Sequence, residues 1–213
     1  MTIAVFGGTG KTGRLVVAQA LAAGHRVKVL ARDPDKIPGA FGLEFVKGDV
    51  LDGGKVMATL TGCEAAVIAL GAVKNGPTDV CSRATELVLQ AATKTKTATV
   101  VAISSLGVGD SKNDIPWFFK VIVALLLKKV FADKEVQEEL LQISPVQWVI
   151  LRPSGLVDTP ASGTAITGTG PMAEGFPPGR IPQGRVSRAD VAQVALKAIA
   201  DSAWHRKAWF ISD

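Results

Sequence analysis

The chain contains no tyrosine, so no phenol can act as general acid or base anywhere along its 213 residues. Histidine is almost as scarce. His25 and His205 are the only two, which leaves neither a histidine-based metal cluster nor a Ser-His-Asp triad well supplied. The only cysteines, Cys63 and Cys81, lack metal-ligand spacing. They suggest a reducing compartment, with a single disulfide as the other option. There is no G-x-S-x-G elbow, and neither cysteine has a histidine near it in sequence. The longest apolar run, Val121 to Leu127, is too short to span a bilayer. The first residues enter an apolar strand at once, leaving no room for a signal peptide, so a cytoplasmic protein is expected. Net charge is only +5, from 24 basic and 19 acidic residues without a long basic run. Nucleic acid is therefore not an expected partner, and an anionic small molecule suits the sign.

What is present begins at the first residues, "IAVFGGTGKTGR". Gly10-Lys11-Thr12 looks like the tail of a P-loop, whereas Gly7, Gly10 and Gly13 form a glycine triplet of the dinucleotide-binding kind. Spacing separates the two. A P-loop needs a glycine five positions before Gly10, and Val5 stands there, inside an apolar run that reads as a buried strand. In the dinucleotide reading, Gly7 ends the strand in a tight turn and Gly10 lets backbone approach a pyrophosphate. Gly13 permits close packing of a helix over roughly Thr12 to Ala23. Thr9, Lys11, Thr12 and Arg14 then surround phosphates held at that helix's N-terminus.

Alternating apolar runs and helical patterns follow. Strands are expected at Arg26–Ala31, Leu43–Val46, Ala65–Leu70, Thr99–Ile103, Gln147–Leu151 and Ala208–Ile211. Helices are expected near Lys55–Leu60, Thr78–Thr93 and Asp133–Ile143, with a last one after the N-cap candidate Ser187. This order predicts an α/β fold: one Rossmann-like domain over residues 1–213 with a doubly wound, mostly parallel sheet. Ligands should lie at the carboxyl ends of its strands. The stretch from Thr159 to Gly184, rich in Gly, Pro, Ser and Thr, reads as a long surface loop with one short strand.

The second strand ends in "KVLARDPDK". Arg32 stands where an acidic residue would accept bonds from an adenosine ribose, and its planar fork suits a 2′-phosphate. Lys36 and Arg14 add charge, while Asp33 keeps NAD open as the alternative. NADP, as NADPH, is the expected cofactor. In "VKGDV", Asp49 can accept the adenine amino group and the Val50 N–H can donate to a ring nitrogen, although a Gly-Asp pair after a strand is by itself more often just a turn. Leu70 and Gly71, in "ALGA", permit backbone approach to ribose and pyrophosphate.

These motifs, together with "VLARDPDKIP", "GDVLDGGKV", "VVAISSLGV", "ADKEVQEELL", "ILRPSGLVD" and "VSRADVA", run nearly end to end. In them the chain resembles the atypical short-chain dehydrogenase/reductase family with NmrA-like members, nearest its flavin reductase (biliverdin IXβ reductase) branch. The resemblance implies an NADPH-dependent reductase of planar acceptors, with no metal and no bound prosthetic group. It also implies roles. Lys134 would hydrogen-bond the nicotinamide ribose, the alternative being a solvated lysine in a helix's first turn. Ser104 and Ser105 would face the nicotinamide, with Ser105 matched to the active-site serine. Pro153 and Ser154 would pass beside the carboxamide. The chain departs from the wider family four positions before Lys134, where Val130 replaces the usual tyrosine, and from the bilin-reducing branch at Ser154, where a histidine is expected.

The greasy segment "IPWFFKVIVALLLKKVF" offers Trp117 and Phe118, beside Leu106 and Ser105, as a substrate wall. Core helix is the plainer reading, and exposed apolar surface for a partner or membrane is a third. Segments near 106–131 and 155–185 would form the substrate side. The function expected is hydride transfer from NADPH to a flavin, bilin or quinone by a monomer. A non-catalytic NADP-binding sensor or scaffold, or a reductase of another small metabolite, are the alternatives.

Overall fold

A computed structural model describes residues 1–71, 77–115, 117–172 and 184–213; of Phe118, Phe119 and Val121 it describes the backbone alone. Strand β1 (Thr2–Phe6) leads through the glycine turn into helix α1 (Lys11–Ala22). Then follow β2 (Arg26–Ala31), β3 (Leu43–Lys47), α2 (Gly53–Leu60), β4 (Ala65–Ile68), α3 (Val80–Thr95) and β5 (Thr99–Ile103). A short helix α4 (Trp117–Ile122) runs through a π-helical turn at Val123–Leu127 into α5 (Lys128–Ile143). The last elements are β6 (Gln147–Pro153), β7 (Gly155–Val157), β8 (Ile166–Gly168), β9 (Arg185–Ser187), α6 (Arg188–Ala200) and β10 (Lys207–Ser212).

The main sheet has the order β3-β2-β1-β4-β5-β6-β10-β8 and is parallel except for β8 against β10. Strand order reverses direction between β1 and β4, the switch point at which open parallel sheets bind ligands. The central strands are buried on both faces, as their unbroken Val/Ile/Ala composition requires. One face packs against α1 and α6 through Val16, Val17, Val191 and Ala195. The other packs against α2, α3 and α5 through Val56, Val88 and Leu141. This is the expected doubly wound α/β architecture.

Several boundaries moved. Lys47 extends β3, Arg152 and Pro153 extend β6, and β4 stops at Ile68 rather than Leu70. The largest difference is α5, which starts at Lys128 rather than Asp133 because the apolar stretch before it is itself helical. Ser187 caps α6 as expected, accepting from the N–H groups of Ala189 and Asp190. The long loop after β7 holds one short strand, β8, among the described residues.

Candidate active site

The glycine turn is built by steric necessity. Gly7 has φ +85°, and a Cβ there would stand 2.6 Å from the Ala69 carbonyl oxygen. A Cβ on Gly13 would lie 2.1 Å from the Gly7 oxygen, so α1 rests directly on the end of β1 only because that side chain is missing. The Gly10 N–H closes the turn onto the Gly7 carbonyl at 2.9 Å.

Helix starts separate this turn from those of α2, α3 and α6. The Asp52 and Ser187 side chains cap α2 and α6, and the Asp133 carboxylate accepts from the first N–H groups of α3, Cys81 and Ser82, at 2.8 Å each. No side chain caps α1, whose N-cap is Gly10. Its first-turn donors and positive dipole end are therefore open to an anion beside the switch point.

From this turn a groove of about 420 Å³ runs over the ends of β2 and β3, lined among others by Gly7, Thr9, Arg32, Asp49, Val50 and Leu70. The fold thus brings together six positions chosen from the sequence. Arg32 is exposed, and among the described residues no hydrogen bond or ion pair holds its guanidinium. Asp33, the residue that kept NAD open, is paired with Lys36 at 3.3 Å, so Lys36 turns toward its own loop. One Asp49 oxygen accepts the Leu51 N–H at 2.9 Å, which is the plain-turn role. Arg14 is exposed on α1, Thr12 is half-buried in its first turn, and Gly71 is exposed with open space where a Cβ would point.

The second half of the predicted set converges at the ends of β4, β5 and β6. The Ser104 N–H donates to the Leu151 carbonyl and the Leu106 N–H to the Pro153 carbonyl, which holds Ser104, Ser105 and Pro153 side by side. Lys134 is buried, six residues into α5, and is not a solvated first-turn lysine. Its ammonium donates to the Leu70 carbonyl at 2.9 Å, the Ile103 carbonyl at 2.8 Å and Gln137 Oε1 at 2.8 Å. All three protons are engaged, tying the ends of β4 and β5 to the helix, and desolvation by burial lowers its pKa.

The serine hydroxyls are also directed. Ser104 Oγ donates to Glu138 Oε1 at 2.5 Å, Ser105 Oγ donates to the Leu106 carbonyl at 3.2 Å, and Ser154 Oγ meets Ser212 Oγ at 3.1 Å. Of these, Ser105 is the one left half-exposed. Leu106 packs with Ile115, Met172 and Phe210 in a small apolar cluster, so it braces the loop rather than forming an open wall. Trp117 is 77% exposed. The Phe118 side chain lies outside the described residues, as do residues 116 and 173–183 of the two expected substrate-side segments.

Two features escaped sequence reasoning. Glu138, 2% exposed, accepts from Ser104 and from Arg152, whose Nη2 lies 2.6 Å from Oε2; Arg152 also reaches Asp110. This buried pair clamps β5, α5, β6 and the loop at Gly109 around Ser104. Its signal was available: an arginine inside the apolar run "VILRPSG" must find a partner when a parallel strand is buried on both faces. The other feature is Asp158, which binds Lys11 Nζ and Arg188 Nη1, each at 2.6 Å. The hydrogen bond from Lys11 holds its carboxyl below the usual carboxylate range. Lys11 therefore meets a carboxylate at the mouth of the glycine turn, where an anionic ligand could replace it. Among the described residues no cluster of His, Cys, Asp or Glu could hold a metal ion.

An open helix N-terminus at a switch point, with a groove and a basic residue beside it, is the arrangement of a dinucleotide-binding fold. The chain belongs to the NAD(P)H-binding family, whose model matches residues 7–202. Its structure is similar to ChuY from Escherichia coli O157:H7, described as an anaerobillin reductase, with TM-score 0.79 and 24% identity over 99% of this chain and 96% of that one. It is also similar to a short-chain dehydrogenase/reductase from Veillonella parvula in complex with NADP, with TM-score 0.80 and 17% identity over 100% of this chain and 94% of that one. An uncharacterised chloroplastic protein of Arabidopsis thaliana is 28% identical over 76% of this chain. The match spans 61% of that protein's own length. No described helix is long and apolar enough to cross a membrane.

Proposed function

We propose that this protein is an NADPH-dependent reductase acting on a planar conjugated acceptor of the flavin, bilin or quinone type, working as a cytoplasmic monomer. When bound, the reduced nicotinamide supplies a hydride. The observation that carries the reading is the missing proton donor: no tyrosine exists, and Lys134, the buried lysine at the ends of β4 and β5, has all its protons engaged. An acceptor whose reduced form takes its proton from water needs neither group.

The residues divide the work. Gly7, Thr9, Gly10, Thr12 and Gly13 cradle the pyrophosphate, with Lys11 released from Asp158 to join them. Arg32 selects the 2′-phosphate, and Asp49, Val50, Leu70 and Gly71 line the adenosine side. Lys134 fixes the spacing of β4 and β5 through backbone carbonyls, a positioning role, while Ser105 and Pro153 face the nicotinamide half. The chain's task is orientation and exclusion of water from the transfer path. Likeness to a protein described as an anaerobillin reductase supports a bilin-like acceptor, and the absence of the expected histidine at Ser154 favours a flavin or quinone instead.

Loss of NADPH absorbance with FMN, a quinone or biliverdin, each offered separately, tests the proposal. Turnover with at least one acceptor is expected. Tight NADPH binding without oxidation by any of them would instead favour a redox sensor, a role compatible with the fully engaged Lys134.

A further inference from the structure

Eight large apolar side chains are exposed among the described residues; Met1, Phe41, Val136 and Ile143 are scattered along the chain, and the other four are neighbours. Trp117, Ile122, Leu125 and Leu126 all lie in α4 and the π-turn, with Leu125 and Leu126 76% and 79% exposed. None of the five residues of the π-turn is buried. The same stretch is electrically one-sided. Residues 115–132 carry Lys120, Lys128 and Lys129 and no carboxylate. Among the described residues no ion pair engages those three lysines. Inboard of the ridge, a groove of about 410 Å³ has Lys120 and Lys128 on its rim beside the Lys112–Glu135 ion pair, and Ile115, Val123 and Phe131 among its apolar lining.

The exposed apolar ridge is a poor match for water, and beside it Lys120, which donates to Asn113 at 3.2 Å, Lys128 and Lys129 keep positive charge that no carboxylate among the described residues offsets. A soluble protein partner would have to supply both an apolar trough and a ring of acidic groups. An anionic bilayer supplies both at once, acyl chains for the leucines and phosphates for the lysines, while tryptophan suits the boundary between them. We infer that the α4–π-turn segment docks the protein peripherally on an anionic phospholipid surface, with Leu125, Leu126 and Trp117 entering the interface. The inference is independent of which acceptor the site reduces.

Co-flotation with vesicles of phosphatidylcholine alone, and of phosphatidylcholine with phosphatidylglycerol, tests it directly. Recovery with the anionic vesicles should exceed that with neutral ones by roughly tenfold and fall at high salt. Leu125→Glu/Leu126→Glu should abolish it, and Lys128→Glu/Lys129→Glu should lower it to the neutral level. Both variants should keep the wild-type melting temperature and NADPH affinity, since these side chains are exposed. Failure to float with anionic vesicles, or flotation unchanged in the leucine variant, overturns the inference. So does a dimer in solution that the leucine variant dissolves without any vesicle binding, because the ridge would then belong to a second copy of the chain.

Discussion

Glu138→Gln tests whether the buried clamp around Ser104 holds the strand ends in place. The substitution keeps the side chain's volume and removes its charge. Glu138 is 2% exposed and accepts Ser104 Oγ at 2.5 Å, Arg152 Nη2 at 2.6 Å and Arg152 Nε at 3.2 Å from each oxygen. The amide puts N–H groups where one of these oxygens accepted, so a donor faces the Arg152 guanidinium, which cannot accept, while the Ser104 hydroxyl can turn to accept. The Arg152 side chain, 6% exposed, then keeps one amide oxygen and, as its only charged partner, Asp110, whose side chain is 83% exposed and whose charge water screens. Breaking a buried ion pair by removing one partner costs about 3–5 kcal/mol. At about 2–4 °C per kcal/mol for a chain of this size, the melting temperature should fall by about 6–20 °C. Thermal melts followed by circular dichroism read the shift directly. Replacing both partners, as Glu138→Leu/Arg152→Met, should recover most of it, since no uncompensated charge remains. A single variant melting within about 1 °C of wild type would refute the clamp, because even 1 kcal/mol should move the midpoint further.

Two further outcomes follow from the same geometry. Arg32→Asp should reverse coenzyme preference: a charged hydrogen bond to a phosphate contributes about 1.5–3 kcal/mol, so NADPH should bind roughly ten- to a hundredfold more weakly while NADH holds or gains. An unchanged ratio of the two dissociation constants, measured by fluorescence titration, would remove Arg32 from the site. The Cys63 thiol is pushed up from 9.0 to about 11, chiefly by burial. A group whose folded pKa is raised stabilises the fold below its unfolded value and loses that contribution as pH climbs through the folded one. Urea unfolding at several pH values should show wild type losing roughly 2 kcal/mol between pH 9 and 11 relative to Cys63→Ala. Parallel pH curves for the two proteins would contradict it.

Sheet and helices were legible because buried parallel strands such as "AAVI" and "TVVAI" are apolar throughout and bounded by turn residues. The glycine turn and the groove beside it were legible too, since glycines and an arginine occupy local positions along one βαβ unit. Lys134 was misplaced for a local reason as well. The apolar stretch before it gives no boundary, and the π-turn carries the helix back to Lys128, putting Lys134 in its second turn. The clamp was not legible as a pair. Glu138 and Arg152 stand on different elements, and only the sheet's geometry brings the carboxylate to the guanidinium. Asp158 reaches Lys11 across an even longer separation. Such contacts depend on tertiary approach, to which local periodicity is blind.

The most direct measurement is a calorimetric titration of NADPH and NADH into wild type and into Gly13→Ala, whose methyl would stand 2.1 Å from the Gly7 oxygen and push α1 off its strand. Saturable one-to-one binding by wild type, tighter for NADPH, with both coenzymes lost in a variant that still folds, is the expected result. Folded wild-type protein that gives no binding heat with either coenzyme, and protects neither from displacement, would contradict the assignment of the glycine turn as a dinucleotide site.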